Sequence, residues 1–488
     1  MAEQFLGNRM LERKEFHVFE RGGRRFLFLT APVAIFSIDS DTYRVLKKAE
    51  AGEAPDCGED EQRWREVGEF VGRYLQRAKP AKPLRAPSDI TDSVVALYLF
   101  VCQECNLKCS YCYGGEGEYG RRGRMSERVM QSSFERFFED GPDQGRQFVT
   151  FFGGEPLMNF PLMEKTAALA HAYRREGKAR VDLCIVTNGT LYSPEIDAFF
   201  REQISDVTFS LDGPKDLNDA QRIAKSGKSV HDAAEENIRK LTQSAPFGWS
   251  FRSIVTREGC DRVEDIFRHL EAFKPGGIGI VDVDAPEGSP LRIDDDQYGR
   301  FLEQIVAINR RALDDIVEGE RPVAFEYPFY VLYYFVSRSQ ALYHCNAGTN
   351  LLAVTAEGDV YPCHRFVGCE EFRMGNVADP KLKESERYRS IRNRFTEATV
   401  DRREGCRDCW ARYLCGGTCA KHSHAEHGRI EPPVARHCRY IKTMIEALLP
   451  DLVAMMEVPE RRRKLVMRLG EAVAGTDGSR ALGEAHVA

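Results

Sequence analysis

The 488-residue chain carries 69 basic and 75 acidic side chains, a net charge of −6, with 42% hydrophobic and 30% charged residues. The length exceeds one ordinary core and points to roughly two to four domains. The acidic balance excludes a general nucleic-acid binder, whose affinity comes from clustered Lys and Arg, and no apolar run approaches a membrane span. Met1 to Arg13 is polar, without a signal-peptide core, so a cytoplasmic protein is expected. In that compartment its 15 cysteines read as metal ligands rather than disulfides.

In chain order, three short strands are predicted at Phe16–Phe19, Arg25–Leu29 and Ala34–Ile38, the first two joined through Gly22-Gly23. Helical patterns follow over Thr42–Ala49 and Glu61–Arg77, with Trp64, Val67, Phe70, Val71 and Tyr74 on one face as core. This α+β unit, residues 1–80, ends in the proline-spaced linker Lys79 to Pro87, placed at 81–90. Residues 91–330 then alternate strands and helices, as in a β/α barrel with a parallel sheet. The strands are predicted at 94–101, 148–152, 181–186, 207–210, 249–255 and 279–283, and a helix at 126–138 is capped by Ser126. Phe325 to Phe335 reads as an aromatic helical core segment. A cysteine-rich unit at 331–450 and an amphipathic helix and tail at 451–488 complete the chain.

Chemistry is signalled first by Cys105-Asn-Leu-Lys-Cys109-Ser-Tyr-Cys112, three cysteines in a loop directly after a strand. Three thiolates can hold three irons of a four-iron, four-sulfur cluster and leave the fourth iron open. A structural zinc site wants four ligands, and adding Cys102 gives an unusual zinc spacing. The spacing resembles that of the radical S-adenosylmethionine (SAM) enzymes. That resemblance implies a partial (β/α)6 barrel whose ligands collect at the C-terminal strand ends. It extends to Gly153-Gly154-Glu155-Pro156 after the second strand, the family's site for the SAM amino group. It also reaches Asn218-Asp-Ala-Gln-Arg222, where Asn replaces the family's His; by that match Ser210 and Arg222 hold the SAM ribose or carboxylate. For Glu155 the bland reading is a turn, and for Arg222 a surface arginine.

A second cysteine field begins at Cys345. The order Cys345, Gly358-x4-Cys363, Cys406-x2-Cys409-x5-Cys415-x3-Cys419, Cys438 is similar to the seven-cysteine pattern of the SPASM domain. By that resemblance the domain holds two auxiliary iron–sulfur clusters, for three [4Fe–4S] clusters in all. Cys406, Cys409, Cys415 and Cys438 would hold one; Cys345, Cys363 and Cys419 would hold the other. Sulfatase-maturing relatives have a further cysteine a few residues before the first of the seven; Ser337 to His344 contains none. An open iron at that cluster is therefore expected, with Cys369 or His344 as alternative fourth ligands. His364, next to Cys363, is a candidate base against a packing role. His422, His424 and His427 read as a solvated face, and Cys57, Cys102, Cys184 and Cys260 match no site.

The resemblance implies a radical SAM peptide maturase. Phe151 to Phe160, Cys345-Asn-Ala-Gly and Tyr361 to Phe366 are similar to thioether-forming maturases of the SCIFF-peptide and quinohemoprotein amine dehydrogenase types. The expected reaction joins a substrate Cys sulfur to a carbon of another residue, with Asp and Glu as candidates. The order of elements in residues 1–80 resembles winged-helix peptide-recognition domains, which add a substrate leader as an extra strand; a structural cap is the alternative. A flavodoxin or ferredoxin-type reductant is the implied electron donor. Formylglycine formation, as in sulfatase maturation, and a non-catalytic iron–sulfur scaffold are the competing readings.

Overall fold

The computed structural model describes residues 15–53, 58–139, 145–319, 324–325 and 333–475, without the side chains of 324–325 and 469–475. The polar N-terminus, Cys57, most of the Phe325–Phe335 segment and the C-terminal tail lie outside the described residues. Among the described residues no helix is long and apolar enough to cross a membrane.

The chain opens with an antiparallel sheet, β1 (Phe16–Arg21), β2 (Arg24–Leu29) and β3 (Ala34–Ile38), in sequential order. Helices α1 (Ser40–Ala51) and α2 (Glu59–Arg77) pack on it. Asp39 caps α1 by accepting from the Asp41 and Thr42 amides, and Gly52 ends it in the left-handed conformation, where a residue without Cβ is least strained. Phe16, Val18, Leu27, Leu29, Leu46, Val67 and Val71 form this unit's own core.

The linker is not a free tether. Lys82–Pro83 (β4) pairs in parallel with Ser339–Gln340 (β12), and the Leu84 amide donates to the Gln340 carbonyl at 3.0 Å. The N-terminal unit is anchored beside it. Gln340 donates to the Ala31 carbonyl at 2.7 Å. The His17 ring stacks on Trp410 at 4.0 Å and lies between Glu50 (2.6 Å) and Glu446 (2.9 Å).

Six parallel strands appear where they are predicted, within a few residues: β5 (Ala96–Cys102), β6 (Arg146–Gly153), β7 (Arg180–Thr187), β8 (Ile204–Ser210), β9 (Gly248–Val255) and β10 (Gly277–Asp282). They neighbour one another in sequence order. Between them lie α3 (Glu127–Phe137), α4 (Phe160–Arg175), α5 (Pro194–Gln203), α6 (Lys215–Gln221), α7 (Val230–Thr242) and α8 (Val263–Glu271). The Ser126 hydroxyl caps α3 by accepting from the Val129 amide. Every residue of β5 is buried, because both faces of a parallel sheet are covered and its strands read as continuous apolar runs. Beyond β10 come the long helix α9 (Asp295–Glu318) and β11 (Ala324–Phe325), which extends the sheet past β10.

The sheet does not stop at the barrel. In the cysteine-rich region, β13 (Leu351–Val354) pairs in parallel with β5, and β14 (Asp359–Tyr361) and β15 (Gly375–Asn376) continue antiparallel. The result is one ten-stranded sheet. Alternation along the chain suggests two separate units; the structure fuses them. An open barrel leaves an unpaired edge on its first strand, and an edge of bare N–H and C=O groups calls for a partner. Helices α10 (Glu386–Glu397), α11 (Ala420–His427), α12 (Ala435–Glu457) and α13 (Pro459–Gly475) follow; α12 packs against α9.

Candidate active site

The tips of β5, β6, β7 and β8 share one edge of the sheet, and the loop bearing Cys105, Cys109 and Cys112 folds over them. Close backbone approach makes this possible. Gly153 has φ +133°, and a Cβ there would meet the Cys102 carbonyl oxygen at 2.1 Å; one at Gly154 would meet the Glu104 carbonyl oxygen at 2.2 Å. The Gly154 and Glu155 amides instead donate to those carbonyls at 2.8 and 2.9 Å. Both glycines therefore seat the cysteine loop on β6.

Glu155 is fully buried. Its carboxylate accepts from the Leu157 amide (3.1 Å), the Thr187 hydroxyl (2.8 Å) and the Asn188 amide (2.9 Å). It thus ties the tip of β6 to that of β7. Burial raises its pKa to about 7, against the lowering effect of those donors. Asn188 extends the tie: its amide donates to Asn106 at 2.9 Å, and Asn106 donates to Thr190 at 2.8 Å.

Arg222 is buried and grips Asp212 with both arms of its fork, at 2.9 and 3.1 Å. The same carboxylate accepts from the Tyr111 hydroxyl at 2.6 Å and the Ile254 amide at 2.9 Å. Lys108 and Ser110 donate their amides to the carbonyls of Ile223 and Gln221, at 2.8 and 2.9 Å. Arg222 is thus no surface arginine. It joins the cysteine loop to the tips of β8 and β9 through Asp212, a hub sequence reasoning did not single out. Ser210 closes β8 opposite Arg252.

The second field gathers two sets of cysteines. The charges of Cys345, Cys363 and Cys419 act on one another, as do those of Cys406, Cys409, Cys415 and Cys438. Burial, then mutual repulsion, pushes the Cys345 and Cys438 thiols up to about 11, and it raises Cys363 and Cys415 further. In the first loop burial lifts Cys105 to about 12 and Cys109 to about 11. Cys419 is the exception: burial raises its pKa, but His422, Arg365 and backbone amides outweigh it and the pKa is lowered; the other buried thiols need a cationic centre to ionise. Among the described residues no set of three cysteines brings its sulfurs within 4.8 Å of one another. Thiolates around a single zinc would sit about 3.8 Å apart, from a bond of about 2.3 Å.

Of the alternative fourth ligands, Cys369 accepts a hydrogen bond from the Lys421 ammonium at 3.1 Å, and the His344 ring packs edge-on to His437 at 5.3 Å. Arg85, from the linker, reaches the Cys345 loop. It donates to the Cys345 carbonyl at 3.1 Å, to Thr349 and Asn350 at 3.3 Å each, and to Asn346. Its guanidinium also covers the Tyr343 ring at 4.7 Å.

His364 sits between the two fields in an aromatic cup of Tyr98 (4.7 Å), Phe152 (4.8 Å) and Tyr113 (6.3 Å). It is buried, and its Nδ1 has no hydrogen-bond partner among the described residues. Burial, with Arg365 and Arg252 nearby, holds its pKa well below the usual histidine value, so the ring is neutral. Beside it, Asp284 accepts from Arg365 at 2.6 Å and lies 3.1 Å from His422. Of the three histidines expected on a solvated face, His422 and His424 are turned inward and His427 is exposed; burial lowers the His422 pKa less than Cys419 and Asp284 raise it.

Residues 99–270 match the Radical SAM superfamily, and residues 345–410 match the SPASM iron-sulfur cluster-binding domain. A serine-type anaerobic sulfatase-maturating enzyme of Klebsiella aerogenes is 26% identical over 66% of this chain and 78% of its own. Among solved structures, native anSMEcpe with bound AdoMet and Cp18Cys peptide aligns at TM-score 0.63 and 20% identity, covering 74% of this chain and 98% of that one. Streptococcus suis SuiB bound to precursor peptide SuiA aligns at TM-score 0.50 and 14% identity, covering 87% and 99%. Both share the fold. The chain thus joins a radical SAM domain, which requires a [4Fe–4S] cluster and SAM, to an SPASM domain, which binds further iron–sulfur clusters.

Proposed function

We propose that this radical SAM enzyme modifies a ribosomally made peptide or small protein subunit by joining a substrate Cys sulfur to a carbon of another residue, Asp and Glu side chains being the candidates. Cys105, Cys109 and Cys112 would hold the SAM-cleaving cluster. Cys406, Cys409, Cys415 and Cys438 would hold a fully ligated auxiliary cluster, and Cys345, Cys363 and Cys419 one with an open iron. When bound, these groups supply a 5′-deoxyadenosyl radical, an electron acceptor and a Lewis acid for a thiolate.

The observation that carries the thioether reading is the three-cysteine set at 345, 363 and 419. The stretch Ser337 to His344 carries no cysteine, its Ser339–Gln340 pair is bound to the linker as a strand, and Cys369 is engaged by Lys421. The chain's own residues do the rest. Gly153 and Gly154 let the SAM amino group approach the backbone, and Ser210 stands at the tip of β8 for the ribose. Arg222 and Glu155 hold the loop against the strand tips, which excludes water from the radical. His364 offers a neutral ring nitrogen to a substrate proton. The outer edge of β3 has no strand partner among the described residues, which suits a leader segment added as a fourth strand. A flavodoxin or ferredoxin would deliver electrons in the cytoplasm.

Oxidation of a Cys or Ser to formylglycine is the second reading, favoured by the sulfatase-maturating relatives. One experiment separates them: anaerobic turnover of the reconstituted enzyme with cysteine-containing precursor peptides, followed by mass spectrometry. The thioether reading predicts loss of two hydrogens per cross-link, disappearance of the alkylatable thiol and no aldehyde. A product that reacts with an aldehyde probe decides for formylglycine.

A further inference from the structure

His231 and Glu235 lie one turn apart on α7, and His269 lies on α8. The Nε2 atoms of the two rings face each other at 3.2 Å. One nitrogen of each ring and one Glu235 oxygen all lie within 4.8 Å of one another. A metal about 2.0–2.1 Å from each nitrogen spans 3.2 Å with an angle of about 100°, close to tetrahedral.

The surroundings prepare the rings as ligands. The His231 side chain is only 6% exposed, and its Nδ1 makes no hydrogen bond among the described residues, although Asp232 and Glu235 oxygens stand 3.5 and 3.6 Å away. Asp232 favours the Nδ1–H tautomer of His231, which leaves the Nε2 lone pair free to bind and the Glu235 carboxylate free to turn to the same ion. Burial, then the neighbouring His231, lowers the His269 pKa, so that ring is neutral. The other charged neighbour is Arg239, which holds Glu235 Oε1 at 2.6 Å and covers Phe273 at 4.2 Å; Glu235 Oε2 faces His231.

We propose that His231, His269 and Glu235 form a site for one divalent transition-metal ion that clasps α7 to α8, separate from both cysteine fields. Two imidazoles and a carboxylate select a borderline ion of the zinc class, with water in the remaining position. The competing occupant is a single proton shared between the rings.

The test titrates iron–sulfur-reconstituted, chelator-dialysed full-length protein anaerobically with zinc. Wild type is expected to take up about one zinc per chain more than His269→Ala. X-ray absorption at the zinc edge should show nitrogen and oxygen neighbours only. Zinc affinity should fall on the order of 100-fold in His269→Ala and about 10-fold in Glu235→Gln. Zinc should raise the melting temperature of wild type but not of His269→Ala. Equal zinc uptake by wild type and both variants, or sulfur neighbours in the difference between them, overturns the site and leaves the shared proton.

Discussion

The loop of Cys105, Cys109 and Cys112 is pinned through two buried carboxylates, one of them paired with Arg222, whereas the loops of the second field are pinned by arginines that bind backbone carbonyls. In the first, Glu155 and Asp212 accept from hydroxyls and amides of several strand tips. In the second, Arg85 binds the Cys345 carbonyl. The buried Arg403 binds the carbonyls of Glu431, Thr418 and Ile430 at 2.8, 3.0 and 2.7 Å. The contrast has a structural cause. Strand tips present N–H groups and want acceptors. Long loops with little secondary structure present carbonyls, and a planar fork satisfies several at once. It also has a redox consequence. Net charge and hydrogen bonding around a cluster set its potential. Around a cluster held by Cys345, Cys363 and Cys419, the neighbouring cations would favour the reduced, more negative state, which would suit an electron acceptor. For a cluster held by the first loop, the Glu155 charge beside Cys105 would be set against that of Arg222 beside Cys109.

The sharpest break between the fields is expected from Cys105→Ala. It should abolish 5′-deoxyadenosine formation and lower the iron content by about four per chain, with the auxiliary signals retained in the paramagnetic resonance spectrum of the reduced protein. Cys363→Ala should do the converse: 5′-deoxyadenosine still forms from SAM after reduction, but the substrate mass does not change. If both variants lose both readouts, the division between radical generation and radical use fails.

Arg85→Ala probes the arginine side of the contrast. It strips the Cys345 carbonyl of a charged donor, at a cost of about 1.5–3 kcal/mol. The auxiliary potential should move to a more negative value, and its iron should be lost faster to chelator. Arg85→Lys should restore the charge but not the fork. An unchanged potential in Arg85→Ala would remove the arginine from the account.

The smallest effect concerns how the N-terminal unit is held. His17 is buried, which lowers its pKa, but hydrogen bonds to Glu446 and Glu50 outweigh this and the pKa is raised. A raised folded-state pKa contributes stability that is fully present below about 6.5 and is lost as pH rises through the higher folded value. His17→Gln should therefore cost about 1 kcal/mol at pH 6 and much less at pH 8.5, as read by denaturant unfolding. An equal cost at both values would mean that stacking on Trp410, not charge, holds the contact.

The parts of this architecture that are local in sequence were legible: Cys105 to Cys112, Gly153-Gly154, the six strands and the seven-cysteine order. Each is written in spacing or in continuous apolar runs. What was hidden is set by pairs far apart in the chain. Nothing near Arg222 marks Asp212 as its partner, because the contact is made by the β8 tip folding back on the loop after α6. The proline-spaced linker reads as a tether, since a two-residue strand has no periodicity, and its Arg85 gives no local sign of reaching Cys345. The β13–β5 pairing that fuses the two units depends on the barrel being open, a property no single strand encodes.

The open iron proposed at Cys345, Cys363 and Cys419 is tested directly by a thiol titration. Cys105→Ala protein, reconstituted and reduced, is followed by paramagnetic resonance as a cysteine-containing peptide is added. A shifted auxiliary signal that saturates with peptide, with the same starting spectrum in Cys369→Ala, is the predicted result. A signal indifferent to the thiol but altered by Cys369→Ala would show that the chain closes the cluster itself, and would contradict the account.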